Sequence, residues 1–216
     1  MRSRAIHLFL ACIQRWDRLR LRWLHRRHPG LDIHPLASTN FASARFVLAE
    51  GARLSIGAGV VTERRRDGVH FQLERGAQVV IGDGTWIRSE VQPVHVAVFE
   101  GASLELGPDC FLNGCHVSAK ERVTLGTRVW VGPGARIFDA DQHDLDADRP
   151  EVREPVVIRD YTWIASDVTV LRGVEIGEHC VVGTRSLVTS SLPPHTLAYG
   201  TPAVAHGRVG DRSKAR

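Results

Sequence analysis

Aliphatic residues recur at every sixth position through the last third of the sequence. The consecutive members of this series are Ile158, Ile164, Val170, Ile176, Val182 and Val188. The fifth position of each unit holds a small or aliphatic residue: Thr162, Val168, Val174, Cys180, Ser186 and Leu192. A period of six does not match the 3.6-residue turn of an amphipathic helix, but it fits short strands joined by bends. The pattern therefore predicts stacked turns of short β-strands.

Three such strands, each about 20 Å long, close a triangular coil whose repeat is the 18 residues from Ile158 to Ile176. The aliphatic residues then point into the triangle, and the small residue after many of them lies at a bend that favours positive φ. An Ile-Gly or Leu-Gly pair marks the same position upstream, at Ile56, Ile81, Leu106 and Leu125. Because these pairs are more than 18 residues apart, we expect loops at the corners, the longest at 139–155.

The first 30 residues follow a different period. Their apolar residues are mostly three or four positions apart, at Ile6, Phe9, Leu10, Ile13, Trp16, Trp23 and Leu24. This spacing, with a His-Pro-Gly stop at 28–30, predicts an amphipathic helix. A secretory signal peptide fits poorly, because residues 14–17 stand where a cleavage site of small residues should be. Two roles are open for the helix: a cap packed on the solenoid or a neighbouring subunit, or a peripheral contact of residues 1–28 with an anionic membrane.

The composition is that of an ordinary globular chain. It has 216 residues, 43% of them hydrophobic and 24% charged, and it lacks the run of about 18 apolar residues that spans a bilayer. Its four cysteines form neither a CxxC pair nor a dense framework, which predicts a reduced, cytoplasmic location. The expected organisation is a helical arm at 1–30, a solenoid at 31–205 and a tail at 206–216.

The net charge of +4 is unevenly distributed. Residues 1–30 hold eight arginines and one acidic residue, Asp17, for a net charge of +7, so the rest of the chain is negative. The excess positive charge belongs to the arm alone. The basic isoelectric point is therefore no argument for a nucleic-acid partner, and we expect none.

The hexapeptide tract and the stretch that closes it resemble a known superfamily. The closing residues, Ser-Leu-Pro-Pro-His at 191–195 and Tyr-Gly-Thr-Pro-Ala at 199–203, look like the exit from the repeats in the hexapeptide acyltransferases. That superfamily includes galactoside, maltose, serine and polysaccharide O-acetyltransferases. The resemblance implies an all-β fold, a left-handed parallel β-helix, behind the N-terminal amphipathic α-helix. The handedness rests on the resemblance, since general crossover rules favour right-handed connections.

The insertion at 139–155 carries the candidate catalytic base, His143. Carboxylates stand close to it in sequence, at Asp139, Asp141, Asp144 and Asp146, and could stabilise its imidazolium form. A solvated acidic loop with an incidental histidine is the alternative. The resemblance implies that His143 and Asn113 are the catalytic residues, with His143 deprotonating the acceptor for direct attack on the thioester of acetyl-CoA. It also implies that Asn113 and Asp141 bind the acceptor.

The resemblance also implies a donor site. The residues that match coenzyme A contacts in the superfamily are Trp163, Ala165, Ser166, Gly183, Thr184, Thr189 and Ser190. The first three match the segment beside the pantetheine groove. Ser190 stands where the superfamily has a lysine near the phosphate end, so Arg185 or Arg208 would have to supply that charge. No covalent nucleophile is required, and Cys110 and Cys180 occupy small structural positions of their repeats.

Other functions stay open beside this one. A trimeric scaffold without catalysis would use the flat faces of the solenoid but would not need His143. A serine-type O-acetyltransferase is the enzymatic variant. A metal-dependent β-helix enzyme is disfavoured, because His95, His116 and His143 lack the spacing of known zinc sites. The set of Cys115, His116 and His143 has no recognised spacing either.

The combined prediction is an acetyl-CoA-dependent transferase acting on a hydroxyl, less favourably an amine, of a saccharide or other small polar acceptor, without a metal. Loops at 62–75 and 88–99 are candidate specificity elements. A single triangular prism offers no deep cleft, so a site for two substrates needs a second subunit, and we expect a homotrimer. The expected location is the cytoplasm. If residues 1–28 contact a membrane, we expect that membrane surface to be its inner face.

Overall fold

Three β-sheets surround an aliphatic core, and one long helix precedes them. The computed structural model describes residues 2–215. Helix α1 spans Arg2–Arg27, and a 3₁₀ helix spans Thr39–Ser43. The strands, in chain order, are β1 (Leu31–Ile33), β2 (Arg45–Leu48), β3 (Arg53–Ile56), β4 (Val61–Thr62), β5 (Val69–Leu73), β6 (Gln78–Ile81), β7 (Trp86–Arg88), β8 (Val94–Val98), β9 (Ser103–Leu106), β10 (Phe111–Asn113), β11 (His116–Ala119), β12 (Arg122–Leu125), β13 (Trp130–Val131), β14 (Arg136–Phe138), β15 (Val156–Ile158), β16 (Trp163–Ile164), β17 (Thr169–Val170), β18 (Glu175–Ile176), β19 (Val181–Val182), β20 (Leu187–Val188), β21 (Thr196–Gly200) and β22 (Ala203–Arg208).

Each sheet is one face of a triangular prism. Face 1 contains β1, β3, β6, β9, β12, β15 and β18; face 2 contains β4, β7, β10, β13, β16, β19, β21 and β22; face 3 contains β2, β5, β8, β11, β14, β17 and β20. The chain passes from face 1 to face 2, to face 3 and back, and we name the corners 1/2, 2/3 and 3/1 accordingly. Strands of neighbouring coils pair in parallel, and an antiparallel β21–β22 hairpin closes the solenoid. The predicted parallel β-helix behind an N-terminal helix is confirmed.

The predicted aliphatic period forms the inner surface of the prism. On face 1, the residues that stand opposite one another on successive strands are Ile56, Ile81, Leu106, Leu125, Ile158 and Ile176. Each of these side chains is at most 1% exposed. Since neighbouring strands lie about 4.8 Å apart, each coil buries the apolar side chains that a lone coil would leave in water. The predicted register is confirmed, including the corner loops that interrupt it.

The prediction of positive φ at the small corner residues is wrong. Small residues do follow the inward aliphatic positions, but the left-handed residue lies two positions later. The non-glycine corner residues of this kind are Asp109, Arg128, Tyr161, Asp167, His179, Arg185 and His195, with φ between 53° and 61°. What the small residue avoids is a clash: a Cβ atom on Gly107 would lie 2.7 Å from the carbonyl carbon of Gly126. Glycine is needed there because the two backbones approach closely.

Helix α1 caps the first coil with only part of its apolar surface. Leu24 is buried in the core, and Leu21 packs against it. The Nδ1 atom of His25 lies 2.7 Å from the carbonyl oxygen of Leu31. The apolar residues Ile6, Phe9, Leu10, Trp16 and Trp23 remain exposed. The predicted cap is thus formed by one stripe of the helix. No helix among residues 2–215 is long and apolar enough to cross a membrane.

The closing hairpin crosses the predicted boundary between solenoid and tail. Strand β22 continues to Arg208, which pairs with Thr196 of β21. The solenoid therefore ends three residues beyond the expected position 205, because the antiparallel partner of β21 needs that length. The remaining tail turns back along corner 1/2, where the backbone N–H of Val209 donates to the carbonyl oxygen of His195.

We expect Gly107→Ala to lower the free energy of unfolding by about 1–3 kcal/mol, because the added methyl group must push two stacked corners apart. Gly207→Ala is the matched control. A Cβ atom at Gly207 meets no heavy atom of residues 2–215 within 4 Å, so the change should stay within about 0.5 kcal/mol. Urea unfolding followed by circular dichroism measures both. Equal losses in the two variants would contradict the role of close backbone approach.

Candidate active site

A groove of about 380 Å³ runs along face 2 toward corner 2/3. Side chains from three stacked coils line it: Asn113 at the end of β10, Trp130 of β13 and Trp163 of β16. Phe111, Trp130 and Trp163 are register partners on neighbouring strands, so their rings form an outward-facing aromatic ladder. An aromatic wall beside a few polar groups is a composition typical of small-molecule sites.

Corner 2/3 gathers one set of the predicted site residues. The members of this set are Asn113, Ala165, Ser166, Gly183 and Thr184. Because Trp163 pairs in register with Val181, Ser166 and Thr184 occupy the same place on successive coils. The backbone N–H of Arg185 donates to the carbonyl oxygen of Ser166 at 3.0 Å, which holds the two coils together here. The structure brings these residues to one corner, and their roles remain predictions.

The side chain of Asn113 carries an unpaired acceptor. Its Oδ1 atom is buried, and within residues 2–215 it has no hydrogen-bond donor. A buried acceptor without a donor costs about 1–3 kcal/mol, so such atoms in folded proteins usually have a partner. Asn113 lines the groove. This position makes Asn113 Oδ1 a candidate acceptor for a hydroxyl or amide N–H of a molecule bound there.

A second set of predicted residues lies at corner 3/1. His143 is exposed on the loop at 139–155, which connects β14 on face 3 to β15 on face 1. Thr189 and Ser190 follow β20 and turn toward face 1 at the same corner. Face 3 separates this corner from the groove by the side of the triangle, about 20 Å. A single protomer therefore does not bring His143 and Asn113 together.

The loop at 139–155 is anchored to the preceding coil. The buried carboxylate of Asp139 accepts hydrogen bonds from the backbone N–H groups of Lys120 and of the residue after it, at 2.7 and 2.8 Å. The Nζ atom of Lys120 donates to Glu151 at 2.5 Å and to the carbonyl oxygen of Gln142 at 3.0 Å. These contacts connect both ends of the insertion to one lysine, so the loop has a defined path.

Within residues 2–215, the carboxylates predicted to surround His143 are paired with other groups. The backbone N–H groups of Lys120 and Glu151 donate to Asp139 and Asp144, respectively. The guanidinium groups of Arg172 and Arg149 donate to Asp141 and Asp146, respectively. The hydrogen bond from Arg172, at 2.6 Å, lowers the pKa of Asp141. The charge of these carboxylates is thus already compensated by arginine and backbone N–H donors. Asp141, predicted to bind the acceptor, is part of an ion pair.

The C-terminal tail adds a groove residue that sequence reasoning missed. The guanidinium carbon of Arg212 lies 5.7 Å from the ring centroid of Trp130 and 5.6 Å from that of Trp163. Its Nε atom donates to the carbonyl oxygen of Tyr161, and its backbone N–H donates to Nδ1 of His179, each at 3.0 Å. Partial burial lowers the pKa of Arg212. The tail has no repeat, so no sequence signal distinguished this arginine from the others.

Two imidazoles and a carboxylate approach one another at corner 1/2. Candidate ligand atoms of Glu178, His179 and His195 lie within 4.8 Å of one another, the one such group found in residues 2–215. The two rings are stacked, with centroids 4.8 Å apart and planes 14° apart. A metal binds in the plane of an imidazole, so two nearly parallel rings cannot point at one ion. This geometry fits an aromatic stack that anchors the tail and not a cation site.

The other metal and nucleophile candidates are also separated. Cys115 is buried in the core, His116 lies on face 3 and His143 lies at corner 3/1, so they do not form a common site. Burial raises the pKa of Cys110 and of Cys115 to about 12. These thiols stay protonated near neutral pH, and a thiol is a poor nucleophile compared with its thiolate.

Three histidines stack on face 3, outside the groove. His70, His95 and His116 are register partners on β5, β8 and β11. Their ring centroids are 4.6 Å and 6.0 Å apart. Burial, followed by the charge of the neighbouring His70, lowers the pKa of His95; burial and the charges of His95 and Arg136 lower the pKa of His116. These shifts favour the neutral imidazole at His95 and at His116.

The repeats match a known family model. Its description is bacterial transferase hexapeptide (six repeats), and the match covers residues 155–190. The galactoside O-acetyltransferase of Escherichia coli (strain K12) is 32% identical over 95 residues, which are 43% of this chain and 47% of that protein. The galactoside O-acetyltransferase of Lactococcus lactis is 32% identical over 93 residues, 41% of this chain and 44% of that protein. The chain thus spans less than half of the length of these relatives.

The solenoid is also similar to a solved structure, that of the polysialic acid O-acetyltransferase OatWY. The likeness covers 86% of this chain and 90% of that chain, with a TM-score of 0.51 and 17% sequence identity. At this identity the likeness concerns the fold alone. Together with the repeat match, it confirms the predicted resemblance to the hexapeptide-repeat acyltransferases and the left-handed parallel β-helix as the fold class.

The histidine ladder makes stability depend on pH. The folded pKa values of His95 and His116 are lowered, so their contribution is present above the unfolded pKa of about 6.5 and is lost as the pH falls from there through the lower folded pKa values. We expect the free energy of unfolding to decrease over this range and a His95→Gln/His116→Gln variant to show a smaller decrease. Urea unfolding at a series of pH values measures how the free energy of unfolding changes with pH in each protein. The slopes of the two curves should coincide above about pH 8. An unchanged slope below pH 7 in the variant would contradict the assignment.

Proposed function

We propose that this protein transfers the acetyl group of acetyl-CoA to a hydroxyl group of a saccharide or another small polar acceptor, with an amine as the less favoured acceptor. The observation that carries the proposal is the groove on face 2, where Asn113, Trp163 and Ser166 lie together. These residues match acetyltransferase positions in sequence. The partial likeness to two galactoside O-acetyltransferases supports the reaction class.

The donor is proposed to lie along the aromatic ladder of face 2. The half-exposed ring of Trp163 offers a flat apolar surface to the pantetheine chain. Ser166 and Thr184, on successive coils about 4.8 Å apart, present polar groups beside it. Arg212 adds a positive charge for a phosphate group within the groove itself. We assign the phosphate contact to Arg212 in preference to Arg185, because Arg185 is exposed beyond the corner.

The acceptor is proposed to bind next to Asn113. The unpaired Oδ1 atom of Asn113 can accept a hydrogen bond from a hydroxyl group, of which a saccharide carries many. The loop regions expected to set specificity reach the same corner. The side chain of Gln92 donates to the carbonyl oxygen of Gly114 at 2.6 Å, and Arg65 donates to that of Ser89 at 2.8 Å. The two loops are thus connected to each other and to the residue after Asn113.

The base is proposed to come from a second copy of the chain. In one protomer His143 lies at corner 3/1 and Asn113 at corner 2/3. Strand β14, from which the His143 loop leaves, pairs with β11, which follows Asn113 directly. The two corners are therefore offset by one coil, about 4.8 Å along the solenoid. A threefold axis parallel to the solenoid would set corner 3/1 of one copy beside corner 2/3 of the next at this level, and we propose a homotrimer with three such sites.

The chemistry in this arrangement needs no covalent enzyme intermediate. One ring nitrogen of His143 accepts the proton of the acceptor hydroxyl while the oxygen of that hydroxyl attacks the thioester carbonyl carbon. The carbon–sulfur bond then breaks, and the imidazolium returns the proton to the departing thiolate of coenzyme A. General-base assistance of this kind contributes about 10²–10⁴ in rate, and alignment of the two substrates contributes several further kcal/mol, on the order of 7–11 in the best cases.

We expect Asn113→Ala and His143→Ala each to lose activity, with a loss of about 10²–10⁴ for His143, and mixed oligomers of the two variants to regain it. An interface that joins the intact His143 of one copy to the intact Asn113 of the other is restored, so each isolated mixed trimer should regain about one of its three sites. The measurement is acceptor-dependent thiol release from acetyl-CoA with galactosides, oligosaccharides, nucleotide sugars and serine. Two affinity tags isolate the mixed oligomers.

Leu145→Ala is the control for the loop, because Leu145 is exposed on the same insertion and should be dispensable. Activity that is lost in both single variants and absent from mixed oligomers would place both residues in one protomer and overturn the shared site. No thiol release with any acceptor, together with no binding of coenzyme A, would favour a trimeric scaffold. A stable monomer in light scattering would contradict the proposed assembly.

We expect Arg212→Ala to raise the KM for acetyl-CoA by roughly 5–30-fold, since a cation stacked on two aromatic rings and facing a phosphate contributes about 1–2 kcal/mol. Arg212→Lys should be intermediate, because lysine keeps the charge but not the planar stack. Lys214→Ala, at an exposed position of the same tail, should leave the KM unchanged. Unchanged coenzyme A affinity in Arg212→Ala, measured by titration calorimetry, would remove Arg212 from the donor site.

A further inference from the structure

One side of α1 presents large apolar side chains to solvent. Phe9, Trp16, Leu19 and Trp23, named here the tryptophan stripe, are seven, three and four residues apart and therefore share a side of the helix. Each is between 52% and 66% exposed. Single exposed apolar residues are common on proteins, but a contiguous stripe that includes two tryptophans marks an interaction surface.

A different side of the same helix already contacts the solenoid. Leu24 is buried there, and Leu21 packs on the same core. The carboxylate of Asp17, 2% exposed, accepts hydrogen bonds from Arg64 at 2.7 and 3.0 Å. These contacts set the rotation of α1 on the first coil. The tryptophan stripe consequently faces away from the β-helix and is not required for the cap.

Arginines flank the tryptophan stripe. The members of one row, three or four residues apart and all exposed, are Arg15, Arg18, Arg22 and Arg26. Arg20 lines a shallow surface depression together with Trp16, Leu19 and Trp23. The guanidinium carbon of Arg27 lies 5.4 Å from the ring centroid of Trp23. The surface therefore combines aromatic side chains with a dense positive charge.

We propose that α1 docks on the surface of an anionic lipid membrane, with the tryptophan stripe at the level of the headgroups and the arginine row against lipid phosphates. A helix with a strongly basic face beside an apolar one lies in the plane of such an interface, and each basic residue near an anionic leaflet adds to the attraction. Charge complementarity selects this occupant. A second copy of α1 would bring the same arginines, and two such rows repel each other.

The proposed trimer, the one element here that rests on the proposed function, strengthens this docking. A rotation about an axis parallel to the solenoid keeps the three first coils level, so three α1 helices lie at the same end of the assembly. Attachment of one helix then raises the effective concentration of the other two at the membrane. The docking surface itself belongs to each single chain, and vesicle binding is measured without reference to acetyl transfer.

The test is co-sedimentation of the full chain with vesicles of phosphatidylcholine alone and with roughly 30 mol% phosphatidylglycerol. We expect binding to the anionic vesicles at least about tenfold tighter than to the neutral ones, and several-fold weaker at about 0.5 M salt because the charges are screened. Trp16→Ala/Trp23→Ala should weaken anionic binding about tenfold or more. Val91→Ala, at an equally exposed apolar position outside α1, should bind as the unchanged protein does.

Circular dichroism and urea unfolding verify that the tryptophan variant keeps its fold, as expected for exposed positions. Equal binding to the two vesicle types, or no binding to either, overturns the proposal. So does undiminished anionic binding by the folded tryptophan variant. A tryptophan variant that loses oligomer mass in light scattering would assign the stripe to a second copy of the chain and likewise overturn membrane docking.

Discussion

Hydrogen bonding between the backbones of successive coils, about 4.8 Å apart, is the constraint on which this structure depends. It places equivalent positions of the repeat directly above one another, as Ile158 and Ile176 show. An aliphatic residue at each inward position can then be buried by its neighbours above and below. The same register fills the triangle with side chains. Any chemistry must therefore take place on the outer faces and at the corners.

Corners tolerate insertions because an insertion there interrupts no ladder. Strands β14 and β15 keep their register with the neighbouring coils although the loop at 139–155 separates them. The loop is nevertheless ordered by Lys120, which contacts residues from both of its ends. An exposed histidine on an anchored loop has a defined location without being buried. This is what a general base requires if its substrate arrives from a neighbouring molecule.

The division of candidate residues between corners 2/3 and 3/1 makes assembly part of the proposed mechanism. A convex prism has a shallow groove on one face, and Asn113 and Trp163 line it, where we propose that acceptor and donor bind. In the proposed trimer, corner 3/1 of a neighbouring copy would form the other side of the site at corner 2/3, since each copy has both corners. In the proposed trimer the helix at the first coil would share this symmetry, because rotation about the solenoid direction would place all copies of α1 at one end.

The sequence by itself determined the coil, its register, the corner loops and the existence of α1, because these follow from local periods of six and of about 3.6 residues. Only the tertiary structure decided which partners the polar residues have. Asp141 pairs with Arg172, 31 positions later, and the tail brings Arg212 between Trp130 and Trp163. The small corner residues could be found from sequence, but the reason for them, a close approach between coils, could not. Contacts between distant segments depend on the course of the insertions and the tail, which the repeat pattern of the sequence does not predict.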